Sequence, residues 1–364
     1  YEIAQCLVGS EMCIRDRVQK AHERGMKVVL DAVYNHTGRE FFAFADILEN
    51  GEKSKYRDWY FIDGFPLKSE WGEIPNFKCF GYYGGMPKLN LKNPEVEKYI
   101  TDVACYWIKE CDIDGWRLDV GDEISHFFWK NFRKAVKAVK KDMLIIGEIW
   151  HYAGDFLEGD EWDTVMNYPF YLNLIDLLAD EKITVSQFVQ NLGYLKGRLH
   201  KNCYPLMWNL IDSHDTARFL HLCNDNKKKQ HLAAAFQLLL PGMPMIYYGD
   251  EYAMPGANDP DCRRGMYWDE EYQDKEMYEW YKRLIQVRKS HACIVEGELA
   301  GSVTEDEEGT VVLIRKNGEE TIAMIFNCSS SAKKFNEYTQ KYNLLTENTF
   351  DGNVEGFDAA VIVL

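Results

Sequence analysis

Four short stretches gather residues that could do acid–base or nucleophilic chemistry: 31–36 (DAVYNH), 115–119 (GWRLD), 147–151 (GEIWH) and 212–215 (DSHD). Each sits at or just past the end of an apolar run, and in parallel α/β folds the ends of strands are where sites assemble. Arg117 and Asp119 are two apart on a strand and face the same way. A guanidinium beside a carboxylate keeps it ionised, as a nucleophilic carboxylate must be, although a structural ion pair has the same spacing. Glu148 follows Leu-Ile-Ile-Gly and precedes Trp150. Apolar and aromatic surface disfavours an ionised carboxyl, which suits a general acid; a strand-end glutamate without that role would look alike. His36 and His214 can each donate to a sugar hydroxyl, though a lone His is more often structural. Asp215 adds a carboxylate able to grip vicinal hydroxyls and to disfavour charge on Glu148. Consecutive Ser213, His214 and Asp215 cannot form a nucleophile–base–orienter line, and no G-x-S-x-G elbow is present. No HExxH spacing supports metal-assisted hydrolysis. Carboxylates at strand ends with one Arg and two His point to cleavage of glycosidic bonds.

The elements that must position these residues follow a rhythm. A helix ends over residues 18–25 with a Gly stop, and an apolar strand covers 26–33. Residues 37–90 are rich in aromatics and Gly with no long period, which reads as a functional excursion. Strands at 113–120, 144–150, 165–166, 206–212 and 245–248 alternate with helices at 94–110, 127–141, 171–180, 185–199, 228–240 and 275–290. Such alternation implies βαβ units and a parallel sheet. From about residue 295, short alternating strands with Gly and Asp/Asn turns read as a small antiparallel β domain. Counting from residue 26 gives six βα units, whereas a closed barrel of this kind has eight. A doubly wound open sheet is the other architecture, but no Gly-rich phosphate loop follows any strand.

The 364 residues carry 46% hydrophobic and 27% charged residues, an ordinary globular balance with room for two or three packed units. A formal charge of −16 argues against a nucleic-acid partner, which would call for a basic footprint. Aromatics make up 14%, with 10 Trp and 22 Tyr; most belong in any core, yet sugar rings stack on such faces. Ten Cys occur singly, without CxxC spacing, favouring a reducing, cytoplasmic compartment and no zinc cluster. No run of 18 apolar residues suggests a membrane span.

At the four motifs the chain resembles the α-amylase family of glycoside hydrolases. Residues 31–36, 115–119, 147–151 and 211–215 are similar to that family's four shared motifs and occur in family order. Residues 86–90 (MPKLN) and the stretch 259–268, with Asp259, Arg263, Arg264, Met266 and Trp268, resemble the neopullulanase, cyclomaltodextrinase and maltogenic amylase group. The resemblance implies a (β/α)8 TIM barrel with an inserted domain after its third strand and a C-terminal antiparallel β domain. It makes Asp119 the nucleophile, Glu148 the general acid/base and Asp215 the carboxylate that stabilises the transition state. Arg117 would orient and charge the nucleophile, and His36 and His214 would hold the reacting glucose. Trp150, Phe80 and Tyr168 stand where the group places aromatic substrate contacts, and Asp259 and Arg263 resemble the pair on the non-reducing side. Asn35 matches a position that holds calcium in some members; no cofactor is universal. The implied reaction is retaining hydrolysis of α-1,4 bonds, with α-1,6 bonds also in the group's range, in maltodextrins, cyclodextrins or pullulan. A transglycosylase or isomerase on the same scaffold, or a sugar-binding homologue without catalysis, are the other readings.

The chain departs from the family at its start. The first two barrel strands have no counterpart, nor does the group's extra N-terminal β domain, which commonly builds a homodimer. Residues 1–17 give no clean period between Cys6 and Arg17 and are set aside as non-native. The expected division is residues 18–36 and 91–292 for barrel strands 3 to 8, 37–90 for the inserted domain B and 293–364 for the β domain. A barrel without two strands exposes unpaired edges, so the chain alone is expected to be an unstable, inactive fragment.

Overall fold

The computed structural model describes residues 11–68 and 74–364; what the sequence suggests for residues 1–10 lies outside them. The described residues divide into two compact units, the first running up to residue 149 with 153–165, the second residues 150–152 with 166–364.

The first unit opens with helix α1 (Glu11–His22). Residues 13–17 are helical although their sequence has no readable period. Docking supplies the missing signal: Arg15 donates to the Glu110 carbonyl at 2.8 Å and to its carboxylate at 3.1 Å. Four parallel strands, β1 (Val29–Ala32), β2 (Gly115–Leu118), β3 (Leu144–Gly147) and β4 (Thr164–Val165), pair in that order. Asp31 lies opposite Arg117, and Leu118 opposite Gly147. The register therefore sets the polar ends of the first three strands side by side. The strands are shorter than the apolar runs suggest, because flanking residues turn their backbone elsewhere; the Val28 amide donates to the Asp114 carboxylate at 2.9 Å.

Helix α2 (Phe42–Asn50) lies inside the aromatic excursion, where no period was legible. It buries Ala43, Phe44 and Ile47, and the Phe44 ring sits 5.0 Å from Tyr60 and 5.2 Å from Phe77. Helix α3 (Pro94–Cys111) follows the rules of its sequence: Asn93 caps it by accepting from the Glu95 amide, and Pro94 opens it. Val96, Ile100, Ala104, Ile108 and Cys111 form its buried stripe. Helix α4 (His126–Val139), capped by Ser125, buries Phe128, Trp129, Phe132 and Val136.

In the second unit, helices α5 (Tyr168–Leu178), α6 (Val185–Arg198), α7 (Phe219–Leu222) and α8 (Lys227–Leu239) accompany two parallel strands, β5 (Trp208–Asn209) and β6 (Met243–Pro244). Strand β6 corrects the expectation of a strand at 245–248. The Met243 and Met245 amides bond to Met207 and Asn209 carbonyls at 2.8 Å, so the ladder skips Pro244, which has no N–H. Beyond Met245 the chain turns away through Gly249, at φ 92°. Helices α9 (Lys275–Ser290) and α10 (Ala292–Glu296) lead to an antiparallel sheet whose long strands are β7 (Glu298–Glu305), β8 (Thr310–Asn317), β9 (Glu320–Asn327) and β10 (Asp358–Val363). Their order is β10-β9-β8-β7. Phe236 of α8 stacks on Phe326 of β9 at 4.2 Å, inside one continuous apolar core. No helix among the described residues is long and apolar enough to cross a membrane. Among the described residues no two cysteines are joined in a disulfide.

One close approach underlies the end of β3. A Cβ added at Gly147 would run into the Trp162 ring, and Trp162 is itself buried, stacked 4.0 Å from Phe156. Gly147→Ala is therefore expected to destabilise the fold by about 1–3 kcal/mol through overpacking, read as a lowered denaturation midpoint. An unchanged midpoint would show that Trp162 can shift at no cost.

Candidate active site

Within the first unit, the site is built on the guanidinium of Arg117. Its Nη1 donates to Asp31 Oδ1 at 2.8 Å and to Asp119 Oδ1 at 2.7 Å. Its Nη2 lies 2.6 Å from Glu148 Oε1, an ion-pair contact whose angle falls outside hydrogen-bond geometry. The three carboxylates come from the ends of three neighbouring strands. The ladder persists one step past each assigned strand: the Asp119 amide donates to Ala32 O, and the Glu148 amide to Leu118 O. Burial works against the charge on Arg117, but Asp31, Glu148 and Asp119 outweigh it and push its pKa well above the ordinary value. The guanidinium is a permanent cation here.

Glu148 is the most enclosed of the three, with its side chain 5% exposed against 18% for Asp119 and 53% for Asp31. Its Oε2 accepts from the Val120 amide at 3.0 Å. Val120 adopts a left-handed conformation, φ 47°, which is unusual for a β-branched residue and aims that amide. With one cation among three carboxylates, the cluster carries excess negative charge when all are ionised.

His36 stacks on Phe80, with ring centres 5.3 Å apart and planes 5° from parallel. Burial lowers its pKa against the pull of Asp119 and Glu123, and Lys88 adds to the lowering, so the ring is neutral at neutral pH. A neutral imidazole both donates and accepts. Its backbone pairs with Lys88 as an isolated antiparallel bridge, which fixes the aromatic excursion to the end of β1.

The donors around Asn35 are few for calcium. Calcium takes about 6–8 oxygen ligands. Asn35 offers one buried Oδ1 without a hydrogen-bond partner, while its Nδ2 donates to Glu123 Oε2 at 3.3 Å. Glu123 is already neutralised: the Lys88 ammonium lies 2.6 Å from its carboxylate and 3.1 Å from its carbonyl. Lys78, Lys88 and Lys92 line the same cleft, of about 360 Å³, together with Asp122 and Glu123. Among the described residues no group of three His, Cys, Asp or Glu could hold a metal ion. The donor set does not fit a divalent cation, and an ammonium supplies the positive charge instead.

The second unit brings together His214, Asp215, Asp259 and Arg263. Arg263 donates to Asp215 Oδ1 at 3.0 Å, and its Nε lies 2.8 Å from Asp259 Oδ1. His214 Nε2 stands 3.2 Å from Asp215 Oδ2. The loop is held from behind. The Phe219 amide donates to Asp212 Oδ2 at 2.7 Å, and the Cys262 thiol donates to the His214 carbonyl. Buried Arg218 donates to the carbonyls of Tyr248 (2.6 Å) and Cys262 (3.2 Å) and to Asp250 (3.2 Å). It thereby ties the loop of His214 and Asp215 to the segment that carries Asp259 and Arg263. Burial raises the pKa of both Asp212 and Asp250 although Arg218 opposes it; one cation between two buried carboxyls leaves a proton on the pair.

Trp150 is 41% exposed and stacks on Tyr168 at 4.0 Å, 14° from parallel. Tyr168 departs from expectation. It is fully buried, with its hydroxyl 3.2 Å from Ser213 Oγ, so it backs Trp150 rather than offering a face of its own. The sequence reading missed Asp31 as the third carboxylate on Arg117, and Lys88, Glu123 and Arg218 altogether. An Arg flanked by Ala217 and by Phe219 and Leu220 was a readable oddity, since a charge in an apolar run must find partners.

The catalytic domain of the alpha-amylase family matches residues 9–297 of this chain. A cyclomaltodextrinase from Geobacillus thermopakistaniensis is 45% identical over 324 residues, covering 89% of this chain and 55% of that enzyme. Neopullulanase 2 of Thermoactinomyces vulgaris is 42% identical, covering 86% of this chain and 53% of that enzyme. The solved structure of a cyclomaltodextrinase superposes with a TM-score of 0.92 at 37% identity, over 97% of this chain and 63% of that one. The chain thus spans about half the length of the two enzymes it resembles in sequence. These matches imply a TIM barrel followed by a C-terminal β domain.

Two outcomes check the electrostatics. Arg117→Met leaves three carboxylates around a lost cation and is expected to destabilise by about 3 kcal/mol at neutral pH. Denaturant melts at pH 7 read it, and an unchanged midpoint would refute the account. Chelation is expected to leave the melting temperature unchanged, and added calcium to leave it unchanged as well; a calcium-restored drop would show a site the donor set does not predict.

Proposed function

The chain belongs to the α-amylase family of glycoside hydrolases, and on that premise we propose that it carries the catalytic machinery of a retaining α-glucan hydrolase. The observation that supports this most directly is the single guanidinium shared by Asp119 and Glu148. Two carboxyls drawn onto one fork suit the close spacing of double displacement, about 5–5.5 Å, rather than the 6.5–9.5 Å that leaves room for an inverting water.

The steps follow from the contacts. Asp119, charged and oriented by Arg117, attacks the anomeric carbon. Glu148 gives its proton to the glycosidic oxygen as that bond breaks, so the leaving sugar departs as an alcohol. Glu148, now ionised, takes a proton from water, and the resulting hydroxide displaces Asp119 from the glycosyl-enzyme with overall retention. Neutral His36, together with His214, holds hydroxyls of the reacting glucose. Asp215 stabilises the oxocarbenium-like transition state, and Arg263 with Asp259 binds on the non-reducing side. Phe80 and Trp150 present stacking faces, the latter backed by Tyr168. The substrates proposed are maltodextrins, cyclodextrins or pullulan, in keeping with the names of the relatives. The parallel strands β1 to β6 are assigned as barrel strands 3 to 8, residues 37–90 as the inserted domain and residues 293–364 as the β domain.

Asp119→Asn is expected to lower turnover of maltotriose by roughly 10³-fold or more, with maltooligosaccharide binding by calorimetry retained. Proton NMR of the first products of the parent enzyme should show the α-anomer. An initial β-anomer, or full turnover by the variant, would overturn the assignment.

A further inference from the structure

Within the second unit, a cleft of about 430 Å³ runs from Trp150 along α5 and α6, and the steps above leave it unused. Its walls are of two kinds. One is aromatic: the Arg198 guanidinium lies 3.9 Å from the centre of the Tyr152 ring and 5.3 Å from that of Tyr194. Tyr152 Oη donates to the Arg198 carbonyl at 2.7 Å, and Arg198 Nη1 donates to Tyr194 Oη at 3.3 Å. Two rings and a planar cation therefore form one fixed panel. The other wall is a line of planar polar groups: Asn191 donates to Asn173 Oδ1 at 2.8 Å, and the Asp176 carboxylate stands on the same cleft, 3.6 Å from Lys182. Tyr194 is 66% exposed and Leu172 44%, although nearby Asn173 is buried.

Large exposed apolar side chains gathered in one concave place mark a ligand groove more often than chance exposure. The volume suits a short oligosaccharide, and an apolar lining with a few convergent polar groups is the usual make-up of a small-molecule site. An α-1,4-glucan offers matching chemistry. Its rings present C–H faces to aromatic panels, and its edges present paired hydroxyls to planar carboxylate, amide and guanidinium groups. Trp150 stands at one end of the cleft and adds a further aromatic face.

We propose that the cleft lined by Tyr152, Asp176, Asn191, Tyr194 and Arg198 is a binding site for linear α-1,4-glucan chains. This rests on the hydrolase reading above. It makes chain-length preference a property of α5 and α6.

Tyr194→Ala and Arg198→Ala test it. The ratio of kcat/KM on maltoheptaose to that on maltotriose should fall about three- to tenfold in each variant, the loss expected from removing an aromatic stacking partner. Calorimetric binding of maltoheptaose to the unsubstituted enzyme and to Tyr194→Ala should show the same weakening, and this arm reads the cleft whether or not the enzyme turns over. An unchanged ratio together with unchanged maltoheptaose affinity would overturn the proposal. So would a change in self-association on Tyr194→Ala without a change in sugar affinity, which would assign the cleft to a second copy of the chain. Failure of the parent enzyme to cleave any α-glucan, with maltoheptaose binding still weakened by Tyr194→Ala, would count against the hydrolase reading and leave the binding site standing.

Discussion

The chemistry of the first unit depends on one cation that cannot lose its proton. Arg117 is mostly buried and surrounded by Asp31, Asp119 and Glu148, and a guanidinium in such company stays charged at any pH the protein survives. A Lys at this place would present a point charge to one carboxylate at a time. The planar fork holds Asp119 through one nitrogen and approaches Glu148 through the other, so it sets both the charge and the spacing of two groups that must act in sequence. Strand register puts it there: Arg117 pairs with Asp31 on one side and Ile146 on the other. Slipping β2 by one residue would turn both Arg117 and Asp119 to the opposite face.

Around that cation, small backbone features set the position of Glu148. The left-handed Val120 aims an amide at its carboxylate, and the missing side chain at Gly147 lets the Trp162 ring lie against the strand just before it. In the second unit, Arg218 plays a comparable part without touching the exposed pair of Asp215 and Arg263. It gathers carbonyls from two segments into one buried point. Both arginines act as rigid, multivalent donors, Arg117 to side chains at strand ends and Arg218 to loop carbonyls, and the acids beside them differ in exposure, Glu148 buried and Asp215 a third exposed.

Much of this was legible in the sequence, and the parts that were not share a cause. Helices with a cap and a regular apolar stripe, such as Pro94–Cys111 and Lys275–Ser290, were readable to within a residue or so. The four polar motifs were readable because each follows an apolar run. Strand limits were not, since a strand ends where its partner ends, and that is a long-range fact; β6 lay two residues before its expected start for this reason. The helix at Phe42–Asn50 was hidden because its packing is aromatic and one-sided rather than periodic. Tyr168 was read as a substrate contact, but which face of a ring meets solvent depends on what stacks upon it. Lys88 was quoted in a motif and given no role, because its partner Glu123 is 35 residues away.

The contact between Gly147 and Trp162 has a consequence for how this sequence can vary. The strand carrying the proton donor is packed without a gap against a ring from another segment, so the two positions behave as one locus. A larger residue at 147 becomes tolerable only after the indole at 162 has been replaced by something smaller, and the reverse order passes through an overpacked intermediate. Drift at these sites is therefore directional and paired, and the residue beside Glu148 is held in place by the history of a position that never meets the sugar.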